Sequence, residues 1–271
     1  MRTVIHLSDL HFGRIDEAIL APLIEQINAA TPDLVVVSGD LTQRARSAQF
    51  IAARQFLDAL PHPQIIVPGN HDVPLHNVFD RFVRPLEKFR RYVCDDLTPV
   101  YIDDEIAVVG MNTTRSLTIK NGRFDEAHIA HVNNTLNQLG DNITKIIVTH
   151  HPFQLRQKYT QDDLVEGAAQ AMSLFSQCKI DLLLAGHMHD SATELTSQRY
   201  QLPGYSAIAV QAGTATSTRG RGESNSFNIL RISSNSIIVE RMTWDESISL
   251  FVLTVTEEFA RIEETWQQVV K

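Results

Sequence analysis

Over roughly the first two thirds of the chain, short runs of consecutive apolar residues alternate with segments whose apolar positions recur every three or four residues. Leu34-Val35-Val36-Val37-Ser38 is the clearest run. Uninterrupted apolar and β-branched residues predict a strand covered on both faces. Similar runs predict strands over Arg2–Ser8, Ile65–Val67, Lys145–Thr149 and Leu182–Ala185. Between the first three, Asp16–Ala30 carries Ile19, Leu20, Leu23, Ile24 and Ile27 at helical spacing, and Pro32 breaks the pattern. Ser47–Leu60 repeats that spacing with Phe50, Ile51, Phe56, Leu57 and Leu60. The order βαβαβ predicts a parallel sheet with right-handed crossovers.

Further on, His76–Val93 fits a helix except at Pro85, so a kinked or broken helix is expected. Val100–Ile102 and Ile106–Met111 read as a hairpin turned by Asp103-Asp104-Glu105, and Asn112–Gly122 as a polar loop. Asp125–Leu139 reads as a helix with Asp125 as its N-cap, and Leu164–Gln177 as another. After His189 the rhythm changes. Ala192–Tyr200, Ile208–Ala212, Ser226–Ile232, Ile237–Thr243 and Leu250–Val255 look like strands with no helical pattern between them, which predicts antiparallel or mixed pairing. Glu257–Val270, with Phe259, Ile262, Trp266 and Val269, reads as a closing amphipathic helix. The expected architecture is α/β (an α+β sandwich): two packed mixed β-sheets flanked by helices, within a single domain over residues 1–271.

The chain's 271 residues can bury a sizeable core without staples. A formal net charge of −8 argues against a nucleic-acid polymer as partner. The only cysteines, Cys94 and Cys178, imply no disulfide framework and suit a reducing compartment. No apolar run approaches the roughly 18 residues of a membrane span, and the N-terminus enters a strand without the features of a signal peptide. A cytoplasmic location is expected.

The strand ends carry the chemistry. Five predicted strands lead to Asp9 and His11, to Gly39-Asp40, to Gly69-Asn70-His71-Asp72, to His150, and to Gly186-His187-Met188-His189. Open α/β sheets place their ligands at the carboxyl ends of their strands. Asp9, His11, Asp40, Asn70, His150, His187 and His189 together supply nitrogen and oxygen donors with no thiolate. Such sets suit Zn, Fe, Mn, Co or Ni rather than a structural cysteine–zinc site. Seven donors exceed one tetrahedral ion, and two ions sharing a carboxylate would use them all. His150 and His151 compete for one position.

These five blocks, in this order over residues 9 to 189, resemble the calcineurin-like metallophosphoesterase superfamily. Ser8-Asp9-Leu10-His11, Asp40-Leu41-Thr42 and Asn70-His71-Asp72 are similar to its class III cyclic-nucleotide phosphodiesterase branch. The Val-Asp-Arg-Gly that follows the aspartate in serine/threonine protein phosphatases is absent here. Gln43 stands where purple acid phosphatases carry a metal-bound tyrosine. The resemblance implies two metal ions (Mn, Fe or Zn), one held by Asp9, His11, Asp40 and His189. The other would be held by Asp40, Asn70, His150 and His187. It implies hydrolysis of a small-molecule phosphodiester by a metal-bridging hydroxide, with cyclic nucleotides as first substrates. His71 would bind the phosphate and act as general acid. Asp72 would orient His71 or a ligand histidine.

Two other functions fit the same pattern: cleavage of a nucleotide-sugar lipid pyrophosphate, and a non-catalytic protein-binding scaffold. Intact ligand positions speak against the scaffold. Arg219 and Arg221, on the Gly-rich loop 213–222, are of the residue type that binds phosphate bidentately and are candidate substrate contacts, although a solvated flexible loop is the somewhat simpler reading. His6, His62, His76, His128 and His131 read as structural or surface residues, and Asn112, Thr113 and Arg115 as a solvated loop. Trp266 would cover the core or form the face of a homodimer.

Overall fold

Strands β1 (Arg2–Leu7), β2 (Leu34–Val37) and β3 (Gln64–Ile66) are parallel neighbours joined by helices α1 (Glu17–Ala29) and α2 (Ser47–Asp58). In this computed structural model the described residues are 1–75, 77–118, 120–219 and 222–269. His76 and Arg221 thus lie outside the described residues. Asp16 caps α1, its side chain accepting from Ala18 N. Where the broken helix was expected, α3 (Val78–Val83) and α4 (Glu87–Tyr92) flank Pro85. A proline removes one helical hydrogen bond and clashes with the preceding turn.

The second sheet begins with the antiparallel pair β4 (Val100–Ile102) and β5 (Ile106–Gly110). Asp103 Oδ1 accepts from the amides of Glu105 and Ile106 in the turn between them. Helix α5 (Glu126–Leu136), capped by Asp125, leads to β6 (Thr144–Val148). Helix α6 (Ala168–Gln177) leads to β7 (Leu182–Ala185). Then come β8 (Ala192–Leu195) and β9 (Ile208–Gln211), and the spatial order is β4-β5-β6-β7-β9-β8. The run expected as one strand to Tyr200 stops at Leu195, where a 3-10 turn over Thr196–Gln198 takes over.

The chain then returns to the first sheet with β10 (Ser226–Ile232), β11 (Ser236–Asp245), β12 (Leu250–Ile262) and β13 (Thr265–Gln268). The first sheet is ordered β13-β12-β11-β10-β1-β2-β3. The expected C-terminal helix is therefore a hairpin. Phe259, Ile262, Trp266 and Val269 mimic helical spacing only because Glu263 and Glu264 both turn with positive φ, 48° and 67°. That geometry belongs to a tight two-residue hairpin turn. Gln268 then faces Phe259, and Trp266 faces Arg261. Phe259 and Trp266 are buried, while Ile262 and Val269 are left exposed.

The two sheets pack face to face. Val4, Val36 and Leu230 of one share a buried cluster with Val108, Val148, Leu184 and Val210 of the other. The alternate residues Val35 and Val37 turn outward into the cluster of α1 and α2, and Ile147 and Leu183 into that of α5 and α6. Each such side chain contributes about 1.5–3 kcal/mol by leaving water. Burial on both faces explains the uninterrupted apolar runs. Strands β1, β2, β3, β6 and β7 run to one shared edge, and the loops beyond them meet there. Among the described residues no helix is long and apolar enough to cross a membrane, and both cysteines are free.

Candidate active site

The loops at this edge bring all seven expected donors together. Asp9, His11, Asp40 and His189 offer ligand atoms that lie within 4.8 Å of one another, all buried. His11 Nε2 is 3.1 Å from His189 Nε2, 3.5 Å from Asp9 Oδ1 and 3.7 Å from Asp40 Oδ2. His189 Nε2 is 3.1 Å from Asp9 Oδ1. The second group meets the first at Asp40. His150 Nε2 lies 3.5 Å from the same Asp40 Oδ2 and 3.0 Å from Asn70 Oδ1. His187 Nδ1 lies 3.1 Å from Asn70 Oδ1 and 3.3 Å from His150 Nε2.

Donors held at about 2.1 Å from one ion stand about 3.0–3.4 Å apart in octahedral or tetrahedral geometry. Five of these eight spacings fall in that range, and the other three, including both to Asp40 Oδ2, are 3.5–3.7 Å. The donor set fits two ions, with Asp40 common to both groups. The hydrogen bonds leave those atoms free for the purpose. Asp40 Oδ1 accepts from His71 N at 2.8 Å. Asp9 Oδ2 accepts from Ser8 Oγ and His187 N, while the buried Oδ1 has no hydrogen-bond partner. His150 Nδ1 donates to the Ser38 carbonyl at 2.8 Å, which turns the Nε2 lone pair inward.

The backbone is strained to achieve this. Asp9, His11, Asp40, His187 and His189 have φ of 53°, 50°, 54°, 75° and 58°. A non-glycine residue in the left-handed region costs on the order of 1–3 kcal/mol and persists where the surroundings over-determine it. Gly39 reaches φ 96°, and a Cβ there would come within 2.6 Å of His150 Nδ1.

Electrostatics point the same way. Burial would raise Asp9 and Asp40, but neighbouring histidines outweigh it, His189 first for Asp9 and His150 first for Asp40. Both carboxyls are held far below their usual range. Burial lowers His150, yet the Asp40 carboxylate pushes it up to about 9, and Asp9 raises His189 in the same way. Buried carboxylates seek positive charge, which divalent cations supply. His187 is pushed down to about 3, by burial first and then by His150.

Other expected residues divide. His151 has a nitrogen within 4.8 Å of those of His150 and His187, but both of its nitrogens are engaged elsewhere, Nδ1 with Thr113 Oγ1 at 2.8 Å and Nε2 with the Lys120 carbonyl at 2.9 Å. It packs against His187 with ring centroids 4.7 Å apart. Thr113, expected on a solvated loop, is fully buried for this contact. Asp72 does not reach His71's ring or a ligand histidine. Its Oδ2 accepts from Leu41 N and Gly69 N, and its Oδ1 from the amide and hydroxyl of Thr42. It braces the second loop against the third, and burial, then Asp40, pushes it up to about 6. His71 Nδ1 donates to the Gln43 carbonyl at 3.0 Å, and Arg219 Nη1 donates to His71 Nε2 at 3.0 Å. Arg219 is thus at the site. The carbonyls of Ser38 and Gln43 carry no side-chain signal, and the pattern of the sequence gives no warning of them.

A two-sheet sandwich whose strand ends converge on two carboxylate–imidazole groups is the architecture of a dinuclear metallophosphoesterase. The sequence model of the Calcineurin-like phosphoesterase family matches residues 2–191, and the chain belongs to that family. The curated glycerophosphodiester phosphodiesterase GpdQ of Enterobacter lignolyticus is 28% identical over 217 residues, 72% of each chain. Among solved structures, a purple acid phosphatase from yellow lupin superposes with a TM-score of 0.69 at 13% identity. That match covers 94% of this chain and 53% of the lupin chain. A dimetal phosphatase from Danio rerio gives 0.64 at 14% identity, covering 93% and 98%. The protein is a metal-dependent phosphohydrolase of the phosphodiesterase kind.

Proposed function

We propose that the chain hydrolyses small glycerophosphodiesters. The observation that carries this reading is Asp40 Oδ2, which faces His11 at 3.7 Å and His150 at 3.5 Å. Asp9, His11, Asp40 and His189 would hold one ion, and Asp40, Asn70, His150 and His187 the other. Two ions there supply Lewis-acid neutralisation of the phosphate charge. Ser38, through His150, and Ser8, through Asp9, keep the donors aligned. Because the Gln43 carbonyl occupies His71 Nδ1, any proton that His71 passes to the leaving oxygen travels on Nε2. Arg219, beside that nitrogen, would take a phosphate oxygen.

The glycerol part of the reading comes from the activity in the relative's name, which is 28% identical to this chain. Cyclic nucleotides share the diester and form the second arm of the test. Protein loaded with Mn or Zn is offered glycerophosphocholine, glycerophosphoglycerol, cyclic AMP, a UDP-sugar and bis(4-nitrophenyl) phosphate. Turnover of the glycerophosphodiesters is expected. Cleavage confined to cyclic AMP or to the UDP-sugar would overturn the proposal.

A further inference from the structure

Three loops around the site each carry an arginine to the same rim. The loop after β1 pairs with the loop after β2: Phe12 N donates to the Leu41 carbonyl and Gln43 N to the Phe12 carbonyl, at 2.8 and 3.0 Å. Gln49 locks the two loops together. A Cβ on Gly13, at φ 98°, would fall 2.1 Å from Gln49 Nε2. Gln49 Oε1 accepts from Arg44 N at 2.9 Å. The third loop joins through Arg14, whose carbonyl accepts from Thr218 N at 3.1 Å and Ser217 Oγ at 3.3 Å. Arg219 follows and reaches His71, and Arg44 lines the small cleft that holds Asn70, His71 and Gln43.

These arginines lack counter-charges. Among the described residues, none of the three has a carboxylate within 4.0 Å. Arg2, Arg54, Arg115, Arg156, Arg231 and Arg261 all do. Arg46, Arg81, Arg91 and Arg199 also lack a carboxylate partner, with Arg81 and Arg199 held by carbonyl and amide oxygens. What sets Arg14, Arg44 and Arg219 apart is that three paired loops bring them to one rim. They also sense one another. Burial lowers the pKa of Arg219, Asp40 opposes this, and the charges of Arg14 and Arg44 lower it further. A single phosphodiester carries one negative charge, which two cations and Arg219 already exceed. The exposed guanidinium groups of Arg14 and Arg44 are available to another anion, and their planar fork suits phosphate and carboxylate oxygens.

We propose that Arg14, Arg44 and Arg219 form an anion subsite on the His71 side of the centre, which takes a second phosphate or carboxylate carried by the substrate. The proposal rests on the phosphodiesterase reading and adds a preference, among such diesters, for those whose alcohol bears a further anionic group.

Calorimetric binding to the Zn-loaded protein tests it without requiring turnover. The probes are glycerol 3-phosphate, glycerol 1,3-bisphosphate and 3-phosphoglycerate. Glycerol 1,3-bisphosphate should bind at least about tenfold more tightly than glycerol 3-phosphate. The 3-phosphoglycerate arm separates carboxylate from phosphate as the second group. In the double variant Arg14→Ala/Arg44→Ala the preference should shrink to within about twofold, and Arg14→Lys/Arg44→Lys should keep part of it. Equal affinities for all three probes in the unmodified protein, or a preference that survives the double alanine change, would overturn the subsite. If the subsite preference holds while no glycerophosphodiester is turned over, the glycerophosphodiester reading falls and the subsite stands. Turnover without any preference sinks the subsite alone.

Discussion

Arg219 Nη1 lies 3.0 Å from His71 Nε2, and the other ring nitrogen of His71 is committed to the Gln43 carbonyl. A backbone acceptor thereby fixes which nitrogen of His71 faces the reacting groups. Burial, first among the causes, lowers the His71 pKa, and Arg219 adds to that effect.

Replacing His71 separates proton transfer from metal binding. A positioned acid contributes roughly 10²–10⁴-fold to rate. His71→Ala should lose activity on that scale with an alkoxide leaving group and keep both ions. The loss should shrink for a nitrophenolate, which needs little protonation. Metal content and kcat for the two leaving groups decide it. An equal loss for both would leave His71 as a phosphate-binding group only.

Asp40 should govern both ions. Elemental analysis of protein saturated with Mn or Zn should approach two ions per chain, and Asp40→Ala should fall below one. Retention of two tightly bound ions by the variant would disprove the shared role of Oδ2.

Asp72 should matter for stability more than for chemistry. Asp72→Ala removes the acceptor for the amides of Leu41, Thr42 and Gly69 and for the Thr42 hydroxyl. Buried donors left unpaired cost about 1–3 kcal/mol each. With water reaching some of the four, a loss on the order of 3–5 kcal/mol, the upper end for single substitutions, is expected by urea unfolding. Asp72→Asn, which retains one acceptor oxygen, should lose less. A change below about 1 kcal/mol for Asp72→Ala would refute the bracing role.

His6 should add to acid sensitivity. It is fully buried on β1, with Nε2 2.9 Å from Ser38 Oγ. Burial pushes its pKa down to about 3, against an upward pull from Asp9. The unfolded chain, with an ordinary histidine pKa near 6.5, therefore binds the proton first as the pH falls. The stability held by neutral His6 is full above about pH 6.5 and is lost as the pH drops towards 3. The slope is about 1.4 kcal/mol per pH unit. Denaturant unfolding of metal-free protein at pH 6.5 and 5 should show a decline about 2 kcal/mol steeper than in His6→Gln. Parallel declines would count against it.

Much of this architecture is written in local patterns. Runs such as Leu34–Val37 are apolar at every position because both faces of the strand are buried, and that fact survives folding unchanged. Pro85 and Asp125 act within a few residues of themselves, and both do what their chemistry dictates. The C-terminal segment was illegible for a related reason. Phe259 and Trp266 suit a helix stripe as well as facing strands, and the choice depends on Glu263 and Glu264 entering the left-handed region. Nothing in a Glu-Glu pair announces that.

The sequence by itself determined which donor residues stand at the strand ends, because strand periodicity and donor chemistry are properties of short stretches. Tertiary structure decided how those donors are used. Only the meeting of the loops sends Asp40 Oδ2 toward both His11 and His150 while the His71 amide holds Oδ1. Choosing between His150 and His151 likewise depends on distant partners, the Ser38 carbonyl for one and Thr113 with the Lys120 carbonyl for the other. Arg14 and Arg44 look like ordinary loop arginines until Gln49 and Ser217 draw three loops onto one rim. Nearly all of these contacts join residues tens to hundreds of positions apart, so no short window of the sequence contains the set.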